Sequence, residues 1–373
     1  MTVLPHSLLL PPETQTERGA ALHMLKSCTA FGTRGILVCG HSFRKSGRLD
    51  ALLDNRPAAA DVHTWIHPGG EPTLQQLDDL LAFAREHTPD WVAAVGGGSV
   101  IDIAKACAGL LHAPKSSAAY HDGASIPASS VPFMVAPTTA GTGSEATIVS
   151  VLTNTETGVK KSIRHPSFMA HHVILDADLL TGCPKEIVAA SGMDALTQAI
   201  ESYCSRGATW LTDTLALQAV ALIHDSLPRV FAGDTEKQEV LLTGSYLAGV
   251  ALSHARLGIV HGLAHPLGAR YKAPHGLACA ICLPHALAFN RDAIPGKYDR
   301  LSHIVEMDAA AYAHAMCARL GLQSPFAGQA LEGKDAIVAE TLASGSTKAN
   351  PREVTPDDAA LLLHQLFDSE PNP

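Results

Sequence analysis

Residues 91–111, WVAAVGGGSVIDIAKACAGLL, pass from one periodicity to another within a few positions. Residues 91–95 are a continuous apolar run of strand length, Gly96, Gly97 and Gly98 make a turn, and Ser99 opens a helix. A strand that runs through glycines into a helix belongs to a crossover unit, and repeated crossovers build parallel sheets.

The same alternation runs through the first half of the chain. A helical pattern over 17–31 ends near Gly32. GILVCG (35–40) and VHTWIH (62–67) read as short strands, separated by a helical segment carrying Leu49, Leu52 and Leu53. Thr73 is placed to cap a helix over 73–87, and VPFMVA (131–136) gives a further strand before a Thr/Gly-rich loop. After HHVILDADLL (171–180) the character changes. From Pro184 onward, Ala- and Leu-rich segments follow one another with no convincing strand. The expected fold class is α/β, with a parallel-sheet N-terminal domain over 1–183 and an all-helical C-terminal domain over 184–373. The last residues, DSEPNP, read as a frayed tail.

A length of 373 residues favours two domains over one core. The formal charge of −9 argues against a nucleic-acid groove, which needs a basic stripe. No apolar run reaches the roughly 18 residues of a membrane span, and MTVLPHSLLLPPETQ lacks the basic region of a signal peptide. Eight scattered cysteines then read as reduced, mostly buried thiols of a cytoplasmic protein. Cys279 and Cys282 form a CxxC inside the apolar run LACAIC, with no second pair to complete a cluster, and read as core cysteines.

Glycines let a backbone approach a phosphate closely, and the helix that follows points free N–H groups at it. Gly96–Gly98 with Ser99 fit that logic, although not the spacing of the GxGxxG fingerprint. A second polar loop, with Thr138, Thr139, Gly141, Thr142, Gly143 and Ser144, follows the next strand. Two such loops at adjacent strand ends read as a pyrophosphate site rather than as two unrelated turns.

Five histidines, His254, His261, His265, His275 and His285, fall within residues 253–285, where the overall count of 20 would put about two. His261 and His265 share a helical face, and His275, between a proline and a glycine, sits on another element. The pattern admits two readings: imidazoles converging on a metal ion, or histidines scattered between core and surface.

Taken together, GGGSVIDIAKA (96–106), PTTAGTGSEAT (137–147), SGMDALTQAIE (191–201) and HGLAHPLGARYKAPHG (261–276) resemble the iron-containing (group III) alcohol dehydrogenase family, and STKANPREVTPDD (346–358) is also similar. The resemblance implies a dehydroquinate synthase-like architecture, with a dinucleotide domain, a helical domain and a metal in the cleft between them. It implies that Gly97, Gly98 and Ser99 hold the pyrophosphate of NAD(P), that Asp102 lies near the nicotinamide end, and that Thr138, Thr139 and Thr142 line the adenosine and phosphate side. Asp194, His261 and His275 would bind a divalent metal, Fe2+ or Zn2+, with position 198 as the fourth ligand. His265 would relay a proton or orient a neighbour. The implied activity is hydride transfer between the nicotinamide and a small alcohol, aldehyde or keto substrate, in a homodimer.

Two departures qualify this. Position 198, usually a histidine in the family, is Gln198, a poorer donor to iron or zinc. The related glycerol dehydrogenases are similar in using one aspartate and two histidines, so three ligands can suffice. Gln198 also motivates a second reading, a metal-independent carbonyl reductase similar to maleylacetate reductase. At the end of the first strand, Cys39, Gly40, His41 and Ser42, then Arg44 and Lys45, offer no carboxylate to exclude a 2′-phosphate. That points to NADP(H), or to use of both cofactors. A lyase resembling dehydroquinate synthase would need a richer basic cluster than Arg256, Arg270 and Lys272, and no effector element supports a pure sensing module.

Overall fold

The computed structural model describes residues 2–368; the expected tail beyond Asp368 lies outside them. They cluster into two compact units. One comprises Leu9–Thr139 and Gly143–Gly182; the other runs from Cys183 onward and includes Ala140–Thr142 and the first residues up to Leu8. The chain changes unit at Cys183, and two earlier stretches also group with the second unit. The N-terminal segment caps a helix of the second unit, because Trp210 N and Leu211 N donate to the carbonyls of Thr2 and Val3. Gly141 belongs with that unit too, packed against Ser191.

The first unit is built on a sheet of six strands: β1 (Glu13–Thr16), β2 (Arg34–Gly40), β3 (Asp61–His67), β4 (Trp91–Gly96), β5 (Phe133–Pro137) and, after a separate antiparallel hairpin of β6 (Val149–Asn154) and β7 (Val159–Arg164), β8 (His172–Leu175). Their order is β1-β8-β5-β4-β2-β3, and every pairing is parallel. β4 and β5 are buried along their whole length, as strands covered on both faces must be. β3 lies on one side of β2 and β4 on the other, so the winding reverses between β2 and β4. Ligands of open α/β sheets bind outside the carboxyl ends of the strands at such a reversal. Gly97, which follows β4, stands there. The helical pattern of 17–31 is realised only as a short α-helix, Met24–Cys28, between two 3-10 turns. Thr73 caps the Leu74–His87 helix reciprocally with Gln76, at 3.2 and 3.0 Å.

The second unit is helical, with no strand among its described residues. Its long helices are Lys185–Cys204, Trp210–Ala232, Gln238–Ala255, Ile259–Tyr271 and His275–Asn290. Among the described residues no single helix is long and apolar enough to cross a membrane.

Candidate active site

In the first unit, Gly97 follows β4 and is the N-cap of the Gly98–Leu110 helix, with no side-chain cap bond to its free N–H groups. Thr138 N donates to Gly96 O at 3.0 Å, and a Cβ built on Gly97 would stand 3.2 Å from Thr139 Oγ1. Gly97, Gly98, Ser99, Thr138 and Thr139 thus gather at two adjacent strand ends. Thr142 groups instead with the helical unit.

Asp102 is occupied internally. Its carboxylate accepts from Ser144 Oγ and, at 2.9 Å, from Val151 N, and its carbonyl accepts from Ser150 Oγ at 2.8 Å. Burial raises its pKa, against the pull of Lys105. Lys105, one turn on, is fully buried and donates to Ser144 O, Ser144 Oγ, Thr147 Oγ1 and Val149 O at 2.6 to 3.1 Å. Burial pushes its pKa down to about 8. This pair bolts the helix to the Ser144–Ala146 turn and to β6, and sequence reasoning missed Lys105 altogether.

In the second unit, three helices bring the expected ligands together. Asp194, Gln198 and Glu201 recur on one face of the Lys185–Cys204 helix at i, i+4 and i+7. His261 lies in the first turn of Ile259–Tyr271, and His275 opens His275–Asn290. A Cβ on Gly276 would collide with the Ala190 carbonyl, so only glycine lets the third helix lie this close to the first. His261 Nε2 is 3.5 Å and His275 Nε2 3.8 Å from Asp194 Oδ1. Cys279, a turn beyond His275, puts Sγ 3.8 Å from His261 Nε2 and 3.7 Å from His275 Nε2. The ligand atoms of all four lie within 4.8 Å of one another. His265 completes an aromatic group, its ring 5.2 Å from that of His275 and 6.3 Å from that of His261.

Glu201 orients this group. Its Oε2 accepts from His261 Nδ1 at 2.5 Å and its Oε1 from Val260 N at 2.7 Å. The ring nitrogen engaged by Glu201 cannot also face the cluster, so Nε2 does. Asn350 Oδ1 accepts from Ile259 N at 3.2 Å and from Asn290 Nδ2 at 3.0 Å, which accounts for a structural role of the 346–358 segment.

The residues fit a divalent cation. Around a tetrahedral zinc with bonds of about 2.0–2.3 Å, neighbouring donors stand about 3.3–3.6 Å apart, close to the spacings observed. Asp194 Oδ1 and Gln198 Oε1 are buried acceptors with no hydrogen-bond partner among the described residues. Burial pulls the Asp194 carboxyl up, but the His275 and His261 imidazoles outweigh it and hold it below the usual range. Burial also opposes a charged His261, yet Cys279, Asp194 and Glu201 raise its proton affinity well above the ordinary value. The pocket therefore favours positive charge at its centre. Burial pushes the Cys279 thiol up to about 12 when no cation faces it.

Sequence reasoning missed Glu201 and placed Cys279 only in the core. Both were signalled by helical spacing, seven residues after Asp194 and four after His275. Cys279 is indeed fully buried, as expected of LACAIC, but it also belongs to the donor group.

Comparison with known proteins gives the family. A sequence model of the family described as iron-containing alcohol dehydrogenase matches residues 11–177, and that of the C-terminal part of the Fe-containing alcohol dehydrogenase family matches 188–367. Lactaldehyde reductase of Escherichia coli (strain K12) is 34% identical over 90% of this chain and 92% of its own. NAD-dependent methanol dehydrogenase of Bacillus methanolicus is 32% identical over 96% of this chain and 98% of its own. The crystal structure of sulfoacetaldehyde reductase from Bifidobacterium kashiwanohense in complex with NAD+ superposes with a TM-score of 0.90 at 30% identity, covering 98% of this chain and 99% of that one. With both halves matched and the donor cluster assembled, the chain belongs to the iron-containing alcohol dehydrogenase family and is an oxidoreductase acting on alcohols.

Proposed function

We propose that the protein interconverts a short alcohol and its aldehyde or ketone, with Asp194, His261 and His275 holding Fe2+ or Zn2+. The observation that carries this reading is the convergence of those three side chains, on three helices, with Asp194 Oδ1 buried and without a hydrogen-bond partner among the described residues. Gln198, one turn from Asp194, offers a weaker carboxamide oxygen to the same ion. When bound, the cation supplies Lewis acidity at the substrate oxygen and the nicotinamide supplies the hydride acceptor.

The chain's own residues do the rest. Glu201 fixes the orientation of His261, and burial of the group excludes water from Asp194. His265, beside both metal-site imidazoles, takes the hydroxyl proton in oxidation and returns it in reduction. Gly97, Gly98, Ser99, Thr138 and Thr139 receive the pyrophosphate at the helix N-terminus, with Thr142 contributing from the neighbouring loop. Asp102 acts near the nicotinamide end by holding the hairpin in place.

The names of the relatives support NAD as cofactor and a small aldehyde or alcohol as substrate. We extend the cofactor to NADP, because the exposed His41, Ser42, Arg44 and Lys45 after β2 include no carboxylate. We also read the protein as a cytoplasmic homodimer. The position of β1 at the margin of the sheet supports a second copy.

Absorbance of the reduced nicotinamide tests the reading. NADH and NADPH are each crossed with a panel of short aldehydes, with iron, zinc or chelator added. Turnover should vanish on stripping and return with metal. Undiminished turnover after exhaustive stripping would favour the metal-independent reductase that Gln198 motivates.

A further inference from the structure

We propose that Cys279 is a ligand of the cation, supplying a thiolate as the fourth protein donor beside Asp194, His261 and His275. The inference rests on the reading above, that those three side chains hold the metal.

Geometry carries it. A tetrahedral ion bonded to nitrogen at about 2.05 Å and to sulfur at about 2.3 Å separates the two donors by about 3.6 Å. Cys279 Sγ stands 3.7 and 3.8 Å from the Nε2 atoms of His275 and His261, so it occupies the corner that a fourth donor takes. For His261 this is the nitrogen turned away from Glu201. Asp194 Oδ1, a buried oxygen, stands 3.5 and 3.8 Å from the same two nitrogens and takes a separate corner. Other buried thiols of this chain behave differently: Cys317 donates to Ala280 O at 3.4 Å, the ordinary outcome for a core cysteine. Cys282, also buried and less than a turn beyond Cys279, stands outside the donor group.

Chemistry agrees. Gln198 is a neutral carboxamide, whose oxygen suits hard cations, whereas a thiolate is soft and selects zinc or iron. The strong donor absent at position 198 is thus replaced from another helix. The carboxylate of Asp194 and the thiolate together neutralise a divalent charge that would otherwise be costly to bury. As the metal–sulfur bond forms, the Sγ–H bond breaks and its proton passes to solvent.

Cobalt(II) loaded into the metal-stripped full-length protein tests this without measuring activity. We expect one cobalt per chain and a near-ultraviolet thiolate-to-cobalt charge-transfer band. Cys279→Ser should abolish the band while Cys282→Ser keeps it. Zinc affinity of Cys279→Ser should fall by more than the roughly 10–100-fold typical of losing an outer-shell partner. Stoichiometric cobalt without the band, or a band that survives Cys279→Ser, would overturn the assignment while leaving the three-ligand site standing. Failure to bind cobalt at all would remove both. If Cys279→Ser does not fold, the wild-type spectrum decides.

Discussion

Glu201 Oε2 accepts the Nδ1 proton of His261 at 2.5 Å, across sixty positions of sequence and two helices. The contact selects which ring nitrogen meets Asp194, 3.5 Å away, and so decides the direction in which the site can bind anything. Replacing Glu201 by Gln keeps an oxygen for Val260 N but removes the charge that strengthens the histidine as a donor. Metal affinity, read by competition with a chromophoric chelator, should drop about 10–100-fold. An unchanged affinity would mean that Glu201 serves only the helix start.

Position 198 offers the opposite experiment. Gln198→His introduces an imidazole one turn from Asp194, a better donor to zinc or iron than a carboxamide. Zinc should bind more tightly in the same chelator competition. No gain would show that this side chain does not reach the ion.

Gly276→Ala places a methyl group against the carbonyl of Ala190, a backbone atom that cannot rotate away. The His275–Asn290 helix must then shift away from its neighbour. Overpacking of this kind costs about 1–3 kcal/mol, measurable as a lower urea midpoint. Metal affinity should fall in parallel, since His275 and Cys279 move with the helix. A variant with wild-type stability would mean that the two helices tolerate separation.

Lys105→Met leaves Asp102, Ser144 and Val149 without the cation that joins them. Removing one partner of a buried ion pair costs about 3–5 kcal/mol. Hydrogen exchange should accelerate in β6 and β7 before it does in β4. Uniform exchange across the unit would remove the hairpin-fastening role.

Buried thiols give a pH dependence with a definite sign. Burial raises Cys107, Cys204 and Cys317 from 9.0 to about 12. In the unfolded chain they lose their protons first, so the stability they contribute is complete below 9 and declines as pH rises toward 12. Each thiol should cost about 1.4 kcal/mol per pH unit in that range. Urea midpoints measured from about pH 8 upward should show the decline, and Cys107→Ala should reduce its slope by one thiol's share.

What the sequence made legible depended on whether side chains or context carried the signal. β4 and β5 were readable because both faces are buried and the apolar run is unbroken. β1 was not: its residues, ETQT, are polar, and only backbone pairing with β8 makes it a strand. The β6–β7 hairpin was hidden for a different reason. Its inward positions include Ser150 and Asn154, so the alternation is present in burial but not in hydrophobicity. In the helical unit, the histidine spacing marked His261 and His275, which the structure brings beside Asp194. The partners that aim them, Glu201 and Asn350, are polar residues within helical or loop sequence, and their roles emerge only when distant segments meet.

Asn350 has a consequence for how the protein matures. It closes the start of the helix carrying His261 and also holds Asn290, sixty residues earlier. During synthesis Asp194, His261, His275 and Cys279 all leave the ribosome before this brace exists. The donor cluster therefore reaches its final shape only after Asn350 has been made, and a chain stopped short of Asn350 carries the clustered side chains without the fastening that aligns them.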